Sequence, residues 1–267
     1  MVDPMKVCKL VKVVTRFRFS LKFSLFTLLL GTETEGNTKY SSLQGNDSPP
    51  RLSIKLPKTS ELSNTSKPWS DAELPVDFLL LTVEDCEFLS CLFYLDKPFK
   101  SYCKEIGYVY FGSMGSGDQA KLKVALIKCS KGTAVPGGSL TVVKNAVRIL
   151  RPKAVFSVGA CSGLNSEKTK LGDVVVSSKL TTPACKTPVS RDIGNIIRNA
   201  ADGWKAPVED PDVLEVRVRC GDVLSQPQAA RFGWRQEDII QHYPDAVAVE
   251  TEGEGKSFSH ILNSLLV

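Results

Sequence analysis

The sequence is poor in histidine and in clustered cysteine, the residues that most often hold zinc. Its 267 residues include only two histidines, His242 and His260, and eight cysteines that are scattered without a CxxC pair. A zinc site needs several such ligands at short spacing, so we expect no metal and no cofactor. Scattered thiols are also typical of a reducing compartment, which predicts a cytoplasmic protein.

A membrane-spanning run and a basic, aromatic-rich stripe are missing as well. The apolar run Phe19–Leu30 is interrupted by Lys22 and is too short to cross a bilayer comfortably. This run lies near the end of a basic leader, residues 1–31. The favoured interpretation of the leader is an extension without a role of its own, and membrane contact through residues 19–30 is the alternative. Much of the net charge of +5 lies in this leader. The rest carries no stripe that would suit nucleic acid, which we exclude as a partner.

Residues 32–74 contain few large apolar side chains and are rich in Ser, Thr, Asn, Pro, Lys and Glu. Such a segment buries too little surface to offset its ordering entropy, so we predict a disordered linker. The predicted domain covers residues 75–255, and residues 256–267 form an unrelated tail.

The stretch from residue 124 to 180 predicts the architecture. Val124–Lys128, Ala154–Val158 and Val174–Ser177 are short apolar runs of strand type, and apolar residues recur at helical spacing from Ser139 to Leu150. A helix between two strands indicates a parallel crossover. We therefore predict an α/β fold, a three-layer sandwich around a mixed, mostly parallel sheet. Ligands bind at the carboxyl ends of the strands in such sheets.

Several of these strands end in loops that suit a ligand. The first, Val76–Leu81, runs into the acidic loop Thr82–Glu87, and the central one runs into Gly159–Gly163. Glycine has no Cβ and lets a backbone approach a ligand closely.

These motifs together resemble the nucleoside phosphorylase superfamily. The ordered segments are VALIKC, RPKAVFSVGACSGL, LGDVVVS and, far downstream, AVAVETEGEG. The branch they are most similar to is methylthioadenosine/adenosylhomocysteine nucleosidase, with the purine and uridine phosphorylases as cousins. The resemblance covers roughly Pro75 to Gly255. It implies cleavage of the N-glycosidic bond of a purine nucleoside, a small-molecule partner, and a possible homodimer.

The resemblance also implies roles for particular residues. Glu87 corresponds to the acidic residue that activates the attacking water, with Glu84 as the second choice. Glu252 would accept hydrogen bonds from both ribose hydroxyls, for which two carboxylate oxygens are suited. The remaining substrate-binding residues that it implies are Gly132 near the ribose, Gly159, Ala160 and Cys161 at the purine, Leu224 against the base, and Thr251 beside the ribose.

The loop after the first strand favours a nucleosidase over a phosphorylase. Family phosphorylases hold phosphate with a glycine loop at this place, whereas Thr82-Val83-Glu84-Asp85 is acidic and free of glycine. Because an acidic loop repels phosphate, we expect water to be the nucleophile.

The end of the sequence raises an alternative. Family members continue into another strand that ends in a Ser-Asp pair, whose aspartate protonates the purine. The segment Lys256–Val267 matches nothing of that kind. The domain is therefore predicted to be truncated at its C-terminus. The alternative function is an inactive domain that binds nucleosides or takes part in signalling without the general acid.

Overall fold

The computed structural model describes residues 7–15, 51–62, 64–115, 121–131, 137–165, 168–170, 172–181, 186–199, 201–202, 204–209, 216–225 and 236–250. Its ten strands are β1 (Val7–Thr15), β2 (Phe78–Thr82), β3 (Asp96–Cys103), β4 (Gly107–Met114), β5 (Leu122–Lys128), β6 (Ala154–Gly163), β7 (Val174–Thr181), β8 (Lys186–Pro188), β9 (Val218–Ser225) and β10 (Ala246–Glu250). The α-helices are α1 (Asp85–Phe93), α2 (Ser139–Leu150), α3 (Arg191–Arg198) and α4 (Gln236–His242).

Helices cover both faces of the sheet, as a three-layer α/β fold requires. Along β2 the side chains alternate between the two faces. Phe78 and Leu80 share a buried cluster with Phe88 of α1. Leu79 and Leu81 share another with residues of α2. The predicted three-layer α/β architecture with a mixed sheet is therefore confirmed.

The sheet is less parallel than predicted. Its order is β1-β7-β9-β10-β6-β2-β5-β4-β3, with β8 paired to β7 and an additional pairing of β1 with β6. Five of the pairings between described strands are parallel and five are antiparallel. Hairpin partners and the two antiparallel neighbours of β6 account for the difference, because apolar runs alone do not indicate strand direction.

Five strands pair in a closed ring: β6 with β1, β1 with β7, β7 with β9, β9 with β10, and β10 with β6. β1 runs antiparallel to β6 along its whole length, from Val7 opposite Ser162 to Thr15 opposite Ala154. The sequence predicts that these residues belong to a leader outside the domain. This prediction is wrong, because β1 is hydrogen-bonded to both β6 and β7 and is part of the sheet.

The predicted boundary at Pro75 is also too late. Within the described part of residues 32–74, Trp69 packs edge-on against Phe111 at a ring-centroid distance of 5.5 Å. Ser66 forms a bridge with Lys100 of β3. A few contacts dock the described part of this segment, residues 51–62 and 64–74, onto the domain, so this part is not the disordered linker that its composition predicts.

The last prediction about architecture, a truncation after residue 255, concerns residues outside those described. The described residues contain no helix of the length and apolarity that a membrane crossing demands.

Candidate active site

Glu87 lies in the first turn of α1, directly after β2. The chain is still extended at Glu84, with φ −84° and ψ 155°, and the helix begins at the next residue. Glu87 folds back over this start: its Oε2 accepts hydrogen bonds from the backbone N–H of Val83 and of Glu84, each at 3.0 Å. This is half of a capping box, which satisfies donors that a helix start leaves without partners.

The other carboxylate oxygen of Glu87 reaches the central strand β6, which continues through Gly159–Gly163 where the sequence predicts a loop. Oε1 accepts a hydrogen bond from the backbone N–H of Ala160 at 3.1 Å. A Cβ at Gly159 would lie 3.4 Å from the same oxygen, an ordinary contact distance, so Gly159 lies directly beside the carboxylate. The structure therefore brings together three residues that the sequence assigned to one site: Glu87, Gly159 and Ala160.

Burial raises the pKa of Glu87 above its ordinary value, and the negative charge of Glu84 acts in the same direction. The hydrogen bonds from Val83, Glu84 and Ala160 act the other way and do not cancel the effect of burial. A buried carboxylate with a raised pKa, held in one orientation, is a suitable general base for a bound water.

Two lysines face the acidic loop that carries Glu87. Lys131 Nζ lies 3.1 Å from Glu84 Oε1, and Lys128 Nζ forms an ion pair with Asp85. The loop is therefore not the uncompensated negative surface that its sequence suggests. No local pattern marks either lysine as a neighbour of this loop, because Lys128, at the end of β5, and Lys131 stand more than forty residues later in the chain.

Cys161 and Leu224 lie inside core clusters. Cys161 is 4% exposed and packs with residues of β7, β9 and β10. Leu224 is fully buried and packs in a different cluster, against Ile239 of α4. The side chain of Leu224 thus has a structural role that the sequence analysis did not foresee.

A buried polar pair joins the ends of β9 and β10. Ser225 and Glu250 are register partners on these parallel strands, and the Ser225 hydroxyl donates to Glu250 Oε2 at 2.9 Å. Both residues are more than nine-tenths buried. The sequence signal for this pair is that each polar residue directly follows apolar residues, Ser225 after Val223-Leu224 and Glu250 after Ala246–Val249. Glu250 stands two residues before Glu252.

A second buried polar cluster lies between β7 and β9. Thr181 Oγ1 is 2.8 and 2.9 Å from the two carboxylate oxygens of Asp222, and Lys179 Nζ is 3.0 Å from Asp222 Oδ2. The ion pair and the hydroxyl compensate the charge of a carboxylate that is 7% exposed.

Three predicted site residues, Gly132, Thr251 and Glu252, lie outside the described residues. No group of three or more His, Cys, Asp or Glu residues that could hold a metal ion occurs within the described part of the chain.

Solved structures with this fold are nucleosidases of the superfamily that the sequence resembles. The 5′-methylthioadenosine/S-adenosylhomocysteine nucleosidase of Neisseria meningitidis, in complex with methylthio-immucillin-A, matches with a TM-score of 0.52 at 13% identity, over 71% of this chain and 80% of that one. The corresponding nucleosidase of Colwellia psychrerythraea, in complex with adenine, matches with a TM-score of 0.50 at 12% identity, over 72% and 78%. The chain thus has the fold of this nucleosidase class, and the resemblance predicted from its sequence is confirmed.

A curated relative extends the comparison to sequence. The chain is 25% identical over 218 residues to the death domain-containing ATP nucleosidase of Amphimedon queenslandica, with 69% of this chain aligned. The alignment covers 40% of that relative, so the chain spans about two fifths of its length. No family model matches the chain.

Proposed function

We propose that this chain is a nucleosidase domain that hydrolyses the N-glycosidic bond of purine nucleosides or nucleotides. The observation that carries the proposal is the position of Glu87, whose buried carboxylate is hydrogen-bonded to the loop after β2 and to Ala160 of β6. The fold and the relative that is named an ATP nucleosidase support the same class of reaction.

Glu87 has the role of general base in this proposal. It removes a proton from a water molecule while the water oxygen bonds to C1′ of the ribose. The bond between C1′ and N9 breaks, its electron pair leaves with the purine, and the purine takes up a proton. The backbone of Gly159 and Ala160 lies beside the base, and Glu252 holds the ribose hydroxyls. General base catalysis of this kind contributes typically about 10²- to 10⁴-fold to the rate.

Release of adenine tests the reaction. The full chain is incubated with adenosine, methylthioadenosine, adenosylhomocysteine or ATP, and the free base is measured by chromatography with and without inorganic phosphate. We expect release that phosphate does not accelerate. A phosphate-dependent rate would identify a phosphorylase instead, and binding of adenine without any release would favour the inactive domain raised by the sequence.

Glu87→Gln should lower the rate of base release by about 10²- to 10⁴-fold. Glu61→Gln is a matched control, because Glu61 also accepts a backbone hydrogen bond, from Lys58 at 3.0 Å, at the start of an exposed 3-10 turn. It should retain full activity. Glu252→Ala tests the ribose contact separately: we expect it to abolish nucleoside binding in calorimetry, and an unchanged affinity would exclude that role.

The proposal includes a cytoplasmic location and a homodimer. The scattered spacing of the cysteines in the sequence, which is typical of proteins from a reducing compartment, supports the location. Imaging of a fluorescent fusion tests the location, and light scattering of the purified chain tests the dimer.

A further inference from the structure

Two lysines at and just after the end of β5 contact the loop whose backbone N–H groups donate to Glu87. Lys128 is the last residue of β5 and stands in register with Thr82, the last residue of β2. Lys131 comes three residues later. Each makes an ion pair with one acid of the loop after β2, Lys128 with Asp85 and Lys131 with Glu84.

The backbone beneath these lysines is well fixed. Cys129 N–H donates to the carbonyl of Thr82 at 2.7 Å, and Ser130 N–H donates to the carbonyl of Gly137 at 2.9 Å. The lysines therefore extend from a backbone that the sheet holds, toward the loop after β2.

Glu84 couples this contact to Glu87. Its side chain pairs with Lys131, and its backbone N–H is one of the two donors that hold Glu87 Oε2. The other donor, Val83, is its immediate neighbour. A movement of Glu84 away from Lys131 would thus carry along the donors that orient the carboxylate.

From this geometry we propose that Lys128 and Lys131 are positioning residues, which hold the loop of residues 83–85 so that its backbone N–H groups orient the Glu87 carboxylate. The inference rests on the proposed function for its catalytic consequence, but the positioning itself is a property of the fold. It requires no contact between either lysine and the substrate.

Acidic residues at a helix start also favour the helix without any lysine, through the helix dipole. Variants of the lysines separate the two effects, because they leave Glu84 and Asp85 in place. Lys128→Met/Lys131→Met removes both charges and keeps much of the apolar stem, whereas Lys128→Arg/Lys131→Arg keeps the charges. Lys121→Met is the matched control: Lys121 pairs with Asp96 at 2.7 Å, is similarly half-exposed, and lies at the opposite end of β5.

Amide hydrogen exchange of the full-length chain, followed by mass spectrometry on peptides that cover residues 82–89, tests the positioning directly. Exposed ion pairs are weak, so the double methionine variant should exchange roughly three- to tenfold faster in this segment. The double arginine variant and Lys121→Met should match the wild type. Unchanged exchange in the methionine variant, or equal acceleration by Lys121→Met, would overturn the inference.

Kinetics add the catalytic consequence. We expect the methionine variant to lose roughly three- to tenfold in kcat with an unchanged KM, and the arginine variant to recover the rate. If the wild type releases no base, the proposed function fails while the exchange result still decides the positioning. A raised KM with an unchanged kcat would show that the lysines bind substrate, and would contradict the inference.

Discussion

The substitution Glu87→Gln tests both the hydrogen bonds and the burial of this side chain. A glutamine has one acceptor oxygen where the carboxylate has two. If the glutamine oxygen takes the place of Oε2, it accepts from Val83 and Glu84. The amide NH₂ then faces the N–H of Ala160, so that two hydrogen-bond donors oppose each other. The reverse orientation loses two bonds instead of one. A buried donor left without its acceptor costs about 1–3 kcal/mol.

The cost should depend on pH. Burial raises the pKa of Glu87 above its ordinary value of 4.5, so the folded wild type binds a proton over a range of pH in which the unfolded chain has lost it. Its free energy of unfolding therefore falls as the pH rises through that range. Glutamine does not titrate. We expect Glu87→Gln to be less stable than the wild type by about 1–3 kcal/mol near pH 8, where the wild-type side chain is a carboxylate, with a difference that grows toward pH 5.

Denaturant unfolding at both pH values measures this difference. Glu61→Gln, at an exposed turn, is the control and should stay within about 0.5 kcal/mol of the wild type at either pH. Equal stabilities of Glu87→Gln and wild type near pH 5, or a difference that grows with pH, would refute the account of Glu87 as a buried, triply bonded carboxylate.

Three further predictions follow from single sites. The acid limb of kcat/KM should show an apparent pKa above the ordinary glutamate value, because Glu87 must be ionised to act as base and burial raises its pKa; a limb at or below that value would argue against its role. Gly221→Ala should destabilise the protein by about 1–3 kcal/mol, since its Cβ would lie 2.6 Å from Val247 Cγ2, and a second change, Val247→Ala, should restore stability in the same unfolding assay. Leu224→Ala should cost about 2–5 kcal/mol in unfolding experiments, because the side chain is fully buried, and adenine affinity measured by calorimetry should not change.

Elements with a strong local pattern could be predicted closely from the sequence. The helix Ser139–Leu150 has the predicted bounds, and the strand Leu122–Lys128 begins two residues before the predicted Val124–Lys128, because apolar periodicity and flanking turn residues specify both. β1 could not be predicted, because Lys9 and Lys12 suggest a basic leader and its partners lie about 150 residues away along the chain. β3 was missed because it is an edge strand with charged residues and Pro98, which are common at edges and untypical of a core strand.

Some features of the candidate site could likewise be predicted from the sequence, and others could not. Glu87 could be placed from the sequence, since it follows a buried strand and caps the helix that begins there. Its contact with Ala160 agrees with the general rule that adjacent parallel strands present their carboxyl ends together. The ion pairs of Lys128 and Lys131 and the contact of Ser225 with Glu250 depend on the register between strands, which no local pattern specifies.

The closed ring of strands has a consequence for synthesis of the chain. β1 leaves the ribosome well before its partners β6 and β7, which extend to residues 163 and 181. At about 5–20 residues per second, β1 waits on the order of 10–30 s for both ladders. During that time Val7–Thr15 carries open backbone donors and acceptors on both edges. The ring therefore closes late, and a nascent chain with its first strand unpaired is the stage at which this protein most needs protection from aggregation.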